Sequence, residues 1–256
     1  MSYKTIAVYL DDSPLLPATL ALAADIAVAQ GAHVTGMAAG TGDATRPPDA
    51  FQVFGHVMER AGVASFETRL LDGDAASSLS LDGRYYDLIV LGRYPLDAAA
   101  FAAHVDFCEF VAINSACAVL VAPADLHASG LPRRPLVAWN GSQIAARAVR
   151  AALPLLQAAH RATVAMINVA PGVTADEPEP GAAIARYLHH HGISADVVRQ
   201  TVDTDAGHAL LALADTLQAD LLVLGSHAHP MFNDVLHQGA TRTVLQSGRI
   251  AALLYR

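Results

Sequence analysis

The side chains that most often carry covalent chemistry are scarce in this chain. Lys4 is the only lysine, and no glycine-rich turn precedes it, which excludes a P-loop and argues against Schiff-base chemistry. Cys108 and Cys117 lack the spacing of a redox or zinc pair, and we expect both to be reduced and buried. The serine-hydrolase, zinc-protease and dinucleotide motifs are also absent, so the sequence predicts no catalytic residue.

Histidines are concentrated in two places. His227, His229 and His237 fall in one loop, and their spacing could serve a metal ion, but we interpret them as polar loop residues. Residues 189–191 are three histidines at the end of a predicted helix, where a polar or cationic group suits the helix dipole. Consecutive helical residues point in different directions, so these three cannot converge on one ion. The sequence therefore predicts no metal site.

Polar residues also follow the first strand-like run of each half. Asp11 and Asp12 follow one run, and Asn140 and Ser142 follow the other. Adjacent carboxylates can share acid–base work, but neighbouring residues at a strand end diverge. We therefore expect one residue of each pair to cap the helix that comes next.

The elements that would position these residues occur twice. The sequence Asp87-Leu-Ile-Val-Leu-Gly92 returns as Asp220-Leu-Leu-Val-Leu-Gly225, 133 residues later, and the last strand-like runs, 118–123 and 251–256, keep that offset. A period of this length is too large for a solenoid repeat. It predicts two copies of one small α/β domain, residues 1–124 and 133–256, with a proline-containing segment between them.

Each copy alternates five short apolar runs with helical patterns, which predicts a doubly wound five-stranded parallel sheet. Ligands of such sheets bind beyond the carboxyl ends of the strands, where the strand order reverses. In each copy that point lies between the first and fourth strands. The residues to inspect are 11–13 and 92–93 in the first copy, and 140–142 and Gly225 onward in the second.

Composition limits the remaining functions. The chain has 256 residues, of which 53% are hydrophobic and 16% charged, and its net charge is −8. Its arginines are scattered and form no basic stripe, so we expect no nucleic-acid partner. No apolar run reaches the roughly 18 residues of a membrane helix, and the first residues do not have the pattern of a signal peptide. We expect a cytoplasmic protein with no membrane partner.

Several segments of the second copy resemble the universal stress protein family. Trp139-Asn-Gly-Ser142, followed by an alanine-rich helix, is similar to the start of the family's domain, and 221–229 with Gly239-Ala-Thr-Arg242 resembles its nucleotide loop. The first copy shows a weaker likeness. The resemblance implies a tandem universal stress protein with a Rossmann-like fold of the adenine-nucleotide alpha-hydrolase type, in which the two domains pack as an intramolecular pseudo-dimer.

The resemblance also assigns a binding site. The family loop is Gly, two residues, Gly, nine residues, Gly, then Ser or Thr, after an acidic residue at the end of the first strand. In this chain Ala228 and Gln238 replace two of the glycines and Asn140 replaces the acid, so the loop is only partly retained. By resemblance, the residues that would line the pocket for ATP or another adenine nucleotide are Asn140, Val169, Gly225, Ser226, His229, Gly239, Ala240 and Thr241. After Gly92 the first copy has no glycine before Ala122, and we interpret its loop as degenerate.

These observations favour a non-catalytic stress-response or regulatory protein that acts through protein contacts, with one nucleotide pocket in the second domain. The family further implies a possible homodimer, while the protein partner stays undefined. Two alternatives stay open: a weak ATP-hydrolysing enzyme of the same fold, and a purely structural or interaction module that binds no ligand.

Overall fold

The structure is a computed structural model that describes residues 2–40, 49–92, 98–123, 130–169, 181–226 and 239–256. The chain divides into two compact units, Met1–Leu131 and Pro132–Arg256. None of the helices within these described ranges is long and apolar enough to cross a membrane.

The first unit alternates strands and helices along the chain, as the sequence predicts. Its elements are β1 Thr5–Tyr9, α1 Leu16–Gln30, β2 His33–Ala39, α2 Asp49–Ala61, β3 Phe66–Leu71, α3 Ala75–Asp82, a 3-10 turn at Gly83–Tyr85, β4 Leu88–Leu91, α4 Ala98–Asn114 and β5 Ala118–Val121. The strands are all parallel, in the order β3-β2-β1-β4-β5.

The second unit has the same plan. Its elements are β6 Pro135–Ala138, α5 Gln143–Ala159, β7 Arg161–Ile167, α6 Ala182–His190, β8 Ser194–Gln200, α7 Ala206–Leu217, β9 Leu221–Gly225, α8 Ala240–Ser247 and β10 Ala251–Tyr255. Its parallel strands follow the order β10-β9-β6-β7-β8. The prediction of a doubly wound five-stranded parallel sheet in each copy is confirmed.

The repeated sequence forms the central strands β4 and β9. Every residue of β4 is fully buried, as expected for a strand covered by helices on both faces. The aspartate that precedes each strand ties it to its neighbour. The Asp87 carboxylate accepts hydrogen bonds from the backbone N–H groups of Lys4 and Thr5, at 2.7 and 3.0 Å, just before and at the start of β1.

Asp220 does the same work in the second unit. Its carboxylate accepts the backbone N–H groups of Arg133 and Arg134, both at 2.8 Å, just before β6 begins. In both units the repeated acid therefore fixes the start of the first strand against the start of the fourth. The repeat preserves this connection as well as the apolar strand.

Helix boundaries follow local signals with one exception. Gly31 ends α1 in a left-handed conformation, with φ of 62°, as a glycine just past a helix should. The expectation that Asp11 or Asp12 caps α1 is wrong. The cap position is Leu15, whose side chain makes no capping bond, because Ser13 accepts the N–H of Leu15 in a local turn and delays the helix.

Both cysteines are buried, as expected. Cys108 is 1% exposed and Cys117 is 6% exposed. Burial raises the pKa of the Cys117 thiol to about 12, so the thiolate is not formed at neutral pH.

Candidate functional site

The strand order of the second unit reverses between β6 and β9, at the carboxyl edge of its sheet. Asn140 lies just past the end of β6, and Ser226 follows β9 directly. Val169 lies just past the end of β7 and so belongs to the same edge. The topology thus brings these three sequence-predicted site residues to the edge where doubly wound folds hold ligands.

A tight turn connects β6 to α5. The Asn140 Oδ1 accepts the backbone N–H of Ser142 at 3.1 Å, and Gly141 between them has a left-handed φ of 75°. The hydroxyl of Ser142 in turn accepts the N–H of Ala145 at 3.1 Å, which makes Ser142 the helix cap, as expected for one of the two polar residues. Because Asn140 uses its oxygen in the turn, its amide N–H groups are its donors for a ligand.

Gly225, the last residue of β9, packs against the start of α5. A Cβ at Gly225 would lie 2.6 Å from Cγ2 of Ile144 and 3.1 Å from the backbone nitrogen of Ala145. Any larger residue would push the helix away from the strand. Close packing therefore explains this glycine by itself, before any ligand is considered.

Ser226 is buried directly after β9. Its backbone N–H donates to the carbonyl oxygen of Tyr255 at 2.8 Å, which anchors it beside β10. Its side chain is fully buried, and among the described residues its hydroxyl has no hydrogen-bond partner. A buried hydroxyl without a partner costs about 1–3 kcal/mol, so this oxygen is suited to a polar group supplied from outside the described part of the chain.

The start of α8 supplies backbone donors at the same edge. Gly239 precedes the helix in an extended conformation and has no side chain to cap it, so the first N–H groups have no partner within the helix. Thr241 is nearly buried, at 8% exposure, while Ala240 is half-buried. Such a helix start favours an anion through its N–H groups and its dipole.

Asp205 is a residue that the sequence analysis missed. It caps α7 by accepting the N–H groups of Gly207 and His208, and it also accepts the hydroxyl of Thr243 at 3.1 Å. This last bond joins the starts of α7 and α8. An aspartate directly before a helical apolar run was the available signal for the cap, but the partner on α8 is 38 residues away.

Val169 is positioned by its neighbour. Asn168 has a left-handed φ of 51°, and its side-chain amide forms two hydrogen bonds with the backbone of Val202, at 2.9 and 2.8 Å. This pair of bonds fixes the end of β7 against the segment that follows β8. Val169 is half-buried there and presents an apolar side chain at the carboxyl edge of the sheet.

Part of the expected loop lies outside the described residues. This applies to His229, to the other loop histidines His227 and His237, and to Ala228 and Gln238. Within the described ranges, no group of three or more histidine, cysteine or acidic side chains could hold a metal ion. Of the histidines at 189–191, the first two lie in the last turn of α6, as expected.

Gly92, the counterpart of Gly225 in the first unit, also packs closely against neighbouring side chains. A Cβ at Gly92 would lie 2.9 Å from the Thr19 hydroxyl oxygen and 3.3 Å from a carboxylate oxygen of Asp11. The imidazole Nε2 of His104 lies 3.0 Å from the carbonyl oxygen of Gly92 and 3.5 Å from the sulfur of Cys108. Burial raises the pKa of the Asp11 carboxyl above its ordinary value, although the N–H of Ser13 partly offsets this.

The helices that follow the two central strands differ in length. α4 has 17 residues and α8 has 8. With the strands aligned at the 133-residue offset, Thr241 in the first turn of α8 corresponds to Cys108 in the middle of α4. Backbone N–H groups in mid-helix are bonded to carbonyls one turn earlier. The first unit therefore has no helix start at the position where α8 begins in the second unit.

Comparison with known proteins places this fold. The model of the universal stress protein family matches residues 132–256. A universal stress protein from Archaeoglobus fulgidus DSM 4304 superimposes with a TM-score of 0.72 at 15% identity, over 98% of this chain and 96% of that one. A functionally unknown protein from Pseudomonas aeruginosa PAO1 gives a TM-score of 0.67 at 15% identity, over 99% and 92%.

No curated protein sequence matches the chain. The family match covers the second unit, and the structural likeness extends over both. Residues 132–256 are a domain of the universal stress protein family, and the fold of a solved universal stress protein extends along nearly the whole chain.

Proposed function

We propose that this protein is a non-catalytic stress-response or regulatory protein whose second unit binds an adenine nucleotide at the carboxyl edge of β6 and β9. The observation that carries the proposal is the buried Ser226 hydroxyl, which has no partner among the described residues and lies at the same sheet edge as the start of α8, where Gly239 offers no side-chain cap. An unsatisfied buried donor and a free helix start together favour an anionic ligand.

In the proposed complex the phosphates lie between Ser226 and the segment Gly239–Thr241. The backbone N–H groups of Ala240 and Thr241 face outward along the helix axis and donate to phosphate oxygens. The Ser226 hydroxyl gains the partner that it lacks in the described structure. His229 would add a donor from the adjoining loop, as the family resemblance implies.

The sugar and base would lie over β6 and β7. The Asn140 amide donates to a ribose hydroxyl, in place of the acid common in the family, and Val169 packs against the base. A neutral amide forms a weaker bond to a hydroxyl than a carboxylate does. We therefore expect weaker binding than in relatives that retain the acid and all the loop glycines.

The first unit serves as a partner domain without a nucleotide in this proposal. The His104 imidazole lies against the carbonyl of Gly92 and so occupies space at this edge, and α4 runs through the position where α8 begins in the second unit. A phosphate there would have to displace buried side chains and find donors other than helix N–H groups. One ligand per chain follows.

The polar groups at the second site fit binding better than turnover. Asn140, Ser226 and Thr241 are uncharged, and the nearby Asp205 carboxylate already accepts hydrogen bonds from two backbone N–H groups and one hydroxyl. Cleavage of a phosphate ester needs a positioned base and charge stabilisation as the transition state forms. We further propose that the protein acts in the cytoplasm through a protein partner, and that two chains form a homodimer.

Isothermal titration calorimetry with ATP and AMP tests it. We expect saturable binding to the native protein, a Kd raised about tenfold by Ser226→Ala, and no change in Ser247→Ala, whose hydroxyl bonds within the last turn of α8. No heat with either nucleotide contradicts the proposal. ATP turnover that disappears in Asn140→Ala would favour the enzyme alternative instead.

A further inference from the structure

The second unit contains a cavity away from the proposed nucleotide site. It lies at the amino-terminal ends of β6 and β7 and beside the end of α7. Its volume is about 280 Å³, and Arg134 and Arg161 are among the residues that line it. We call this cavity the arginine groove. It is formed entirely by described residues of one unit.

The floor of the groove is one face of the sheet. Leu136, Thr163 and Asp196 are aligned in register across β6, β7 and β8, and side chains two residues apart on a strand share a face. Arg161 and Val198 therefore lie on the same face as this row. All five residues line the groove, which agrees with the strand alternation.

The groove lies on the same face of the sheet as α7 and beside its end. Crossovers of one hand place α7 on the face opposite α5 and α6, since the chain reverses its direction across the sheet after β8. α7 stops at Leu217, which forms a wall of the groove. Leu136 is fully buried beneath the opening, while Val198 and Leu217 are half-buried, so these three residues give the groove an apolar patch beside its polar side chains.

Two guanidinium groups stand at its rim. The Arg134 Nη1 donates to the Gln218 side-chain oxygen at 3.0 Å, and the Arg161 Nη2 lies 3.6 Å from the Asp196 carboxylate. A guanidinium carries five N–H groups, so each arginine keeps donors beyond these contacts. The residues that line the groove thus include two arginines and one aspartate.

We propose that the arginine groove binds a small organic anion with one carboxylate and a short apolar tail. The carboxylate would bind Arg134 and Arg161 through paired N–H donors, and the tail would cover Leu136, Val198 and Leu217. A volume of 280 Å³ corresponds to about nine water molecules, which suits a chain of roughly six carbons. This site is independent of the nucleotide site and does not rest on the proposed function.

Nuclear magnetic resonance of the full chain labelled with ¹⁵N tests the proposal, with hexanoate as the probe and hexanol as its uncharged counterpart. We expect hexanoate to shift the amide signals of Leu136, Thr163 and Val198 at millimolar concentration, as befits a ligand of this size. Hexanol should bind at least several-fold more weakly, because it cannot engage the guanidinium groups.

Variants test whether each charged side chain favours or opposes hexanoate binding. Arg161→Gln should weaken hexanoate binding about tenfold, whereas Asp196→Asn should strengthen it several-fold by removing the competing carboxylate. Arg199→Gln is the matched control, because Arg199 lies on the opposite face of β8 and should leave binding unchanged. The proposal is overturned if hexanoate shifts none of these amides, if hexanol binds equally well, or if Arg161→Gln has no effect.

Discussion

The link between the starts of β6 and β9 depends on one side chain, Asp220. Its carboxylate accepts two backbone N–H groups at 2.8 Å, from Arg133 and Arg134. Asp220→Ala would remove both bonds and leave two strand-end donors to water. A hydrogen bond to a charged group contributes about 1.5–3 kcal/mol when sheltered, but this position is partly exposed, so we take about 1 kcal/mol for each bond. The expected loss in the free energy of unfolding is about 2 kcal/mol.

Urea denaturation followed by fluorescence measures this change, because Trp139, the only tryptophan, lies in the second unit just past β6. Asp215→Ala is the matched control. Asp215 is 66% exposed and forms an ion pair of 3.7 Å with the exposed Arg249, so its removal should cost no more than about 0.5 kcal/mol. If Asp220→Ala unfolds at the same urea concentration as the control, the carboxylate does not stabilise the link between β6 and β9. The repeated aspartate would then not be explained by its two hydrogen bonds.

Three further predictions follow from other buried or strained positions. Asp11→Asn should raise the free energy of unfolding at pH 7, because burial raises the pKa of this carboxyl and makes its charged form unfavourable in the native state. The gain in the free energy of unfolding should shrink as the pH falls toward 3.8, the ordinary pKa of an aspartate. A difference in urea unfolding that does not change with pH would contradict this prediction. Cys108 and Cys117 should react with a maleimide only after unfolding, as read by mass spectrometry, and native labelling of either would refute their burial. Asn168→Ala should lower the free energy of unfolding, measured in urea, by about 2 kcal/mol, because it removes two hydrogen bonds to Val202 and places alanine in a left-handed backbone conformation. A loss under about 0.5 kcal/mol would show that those hydrogen bonds contribute little.

The fold was accessible from sequence because its strands are short, apolar and bounded by clear signals. The runs that become β4 and β9 contain almost nothing but leucine, isoleucine and valine, and the left-handed glycine at Gly31 marks a helix end. The start of α1 at Leu16 was less accessible from the sequence than its end. The helical pattern continues upstream of Leu16, but Ser13 bonds locally to the N–H of Leu15 and competes with the helix.

The candidate site was only partly accessible. Topology placed Asn140 and Ser226 at one edge, since parallel strands end together. The bond between Asp205 and Thr243 and the packing of Gly225 on Ile144 could not be predicted, because each depends on how separate elements meet. The unequal lengths of α4 and α8, in contrast, follow from the sequence, since the helical pattern spans 98–114 in the first copy and begins only after Gly239 in the second.

We expect the two copies of the fold to provide one nucleotide-binding site. Native mass spectrometry of the full chain with ATP tests it most directly, because it counts ligands per chain. We expect one ATP per chain in the native protein and in His104→Ala, and a markedly lower bound fraction in Ser226→Ala. Two bound ATP molecules per chain would show that the first unit also binds nucleotide, and none at saturating ATP would show that neither unit does.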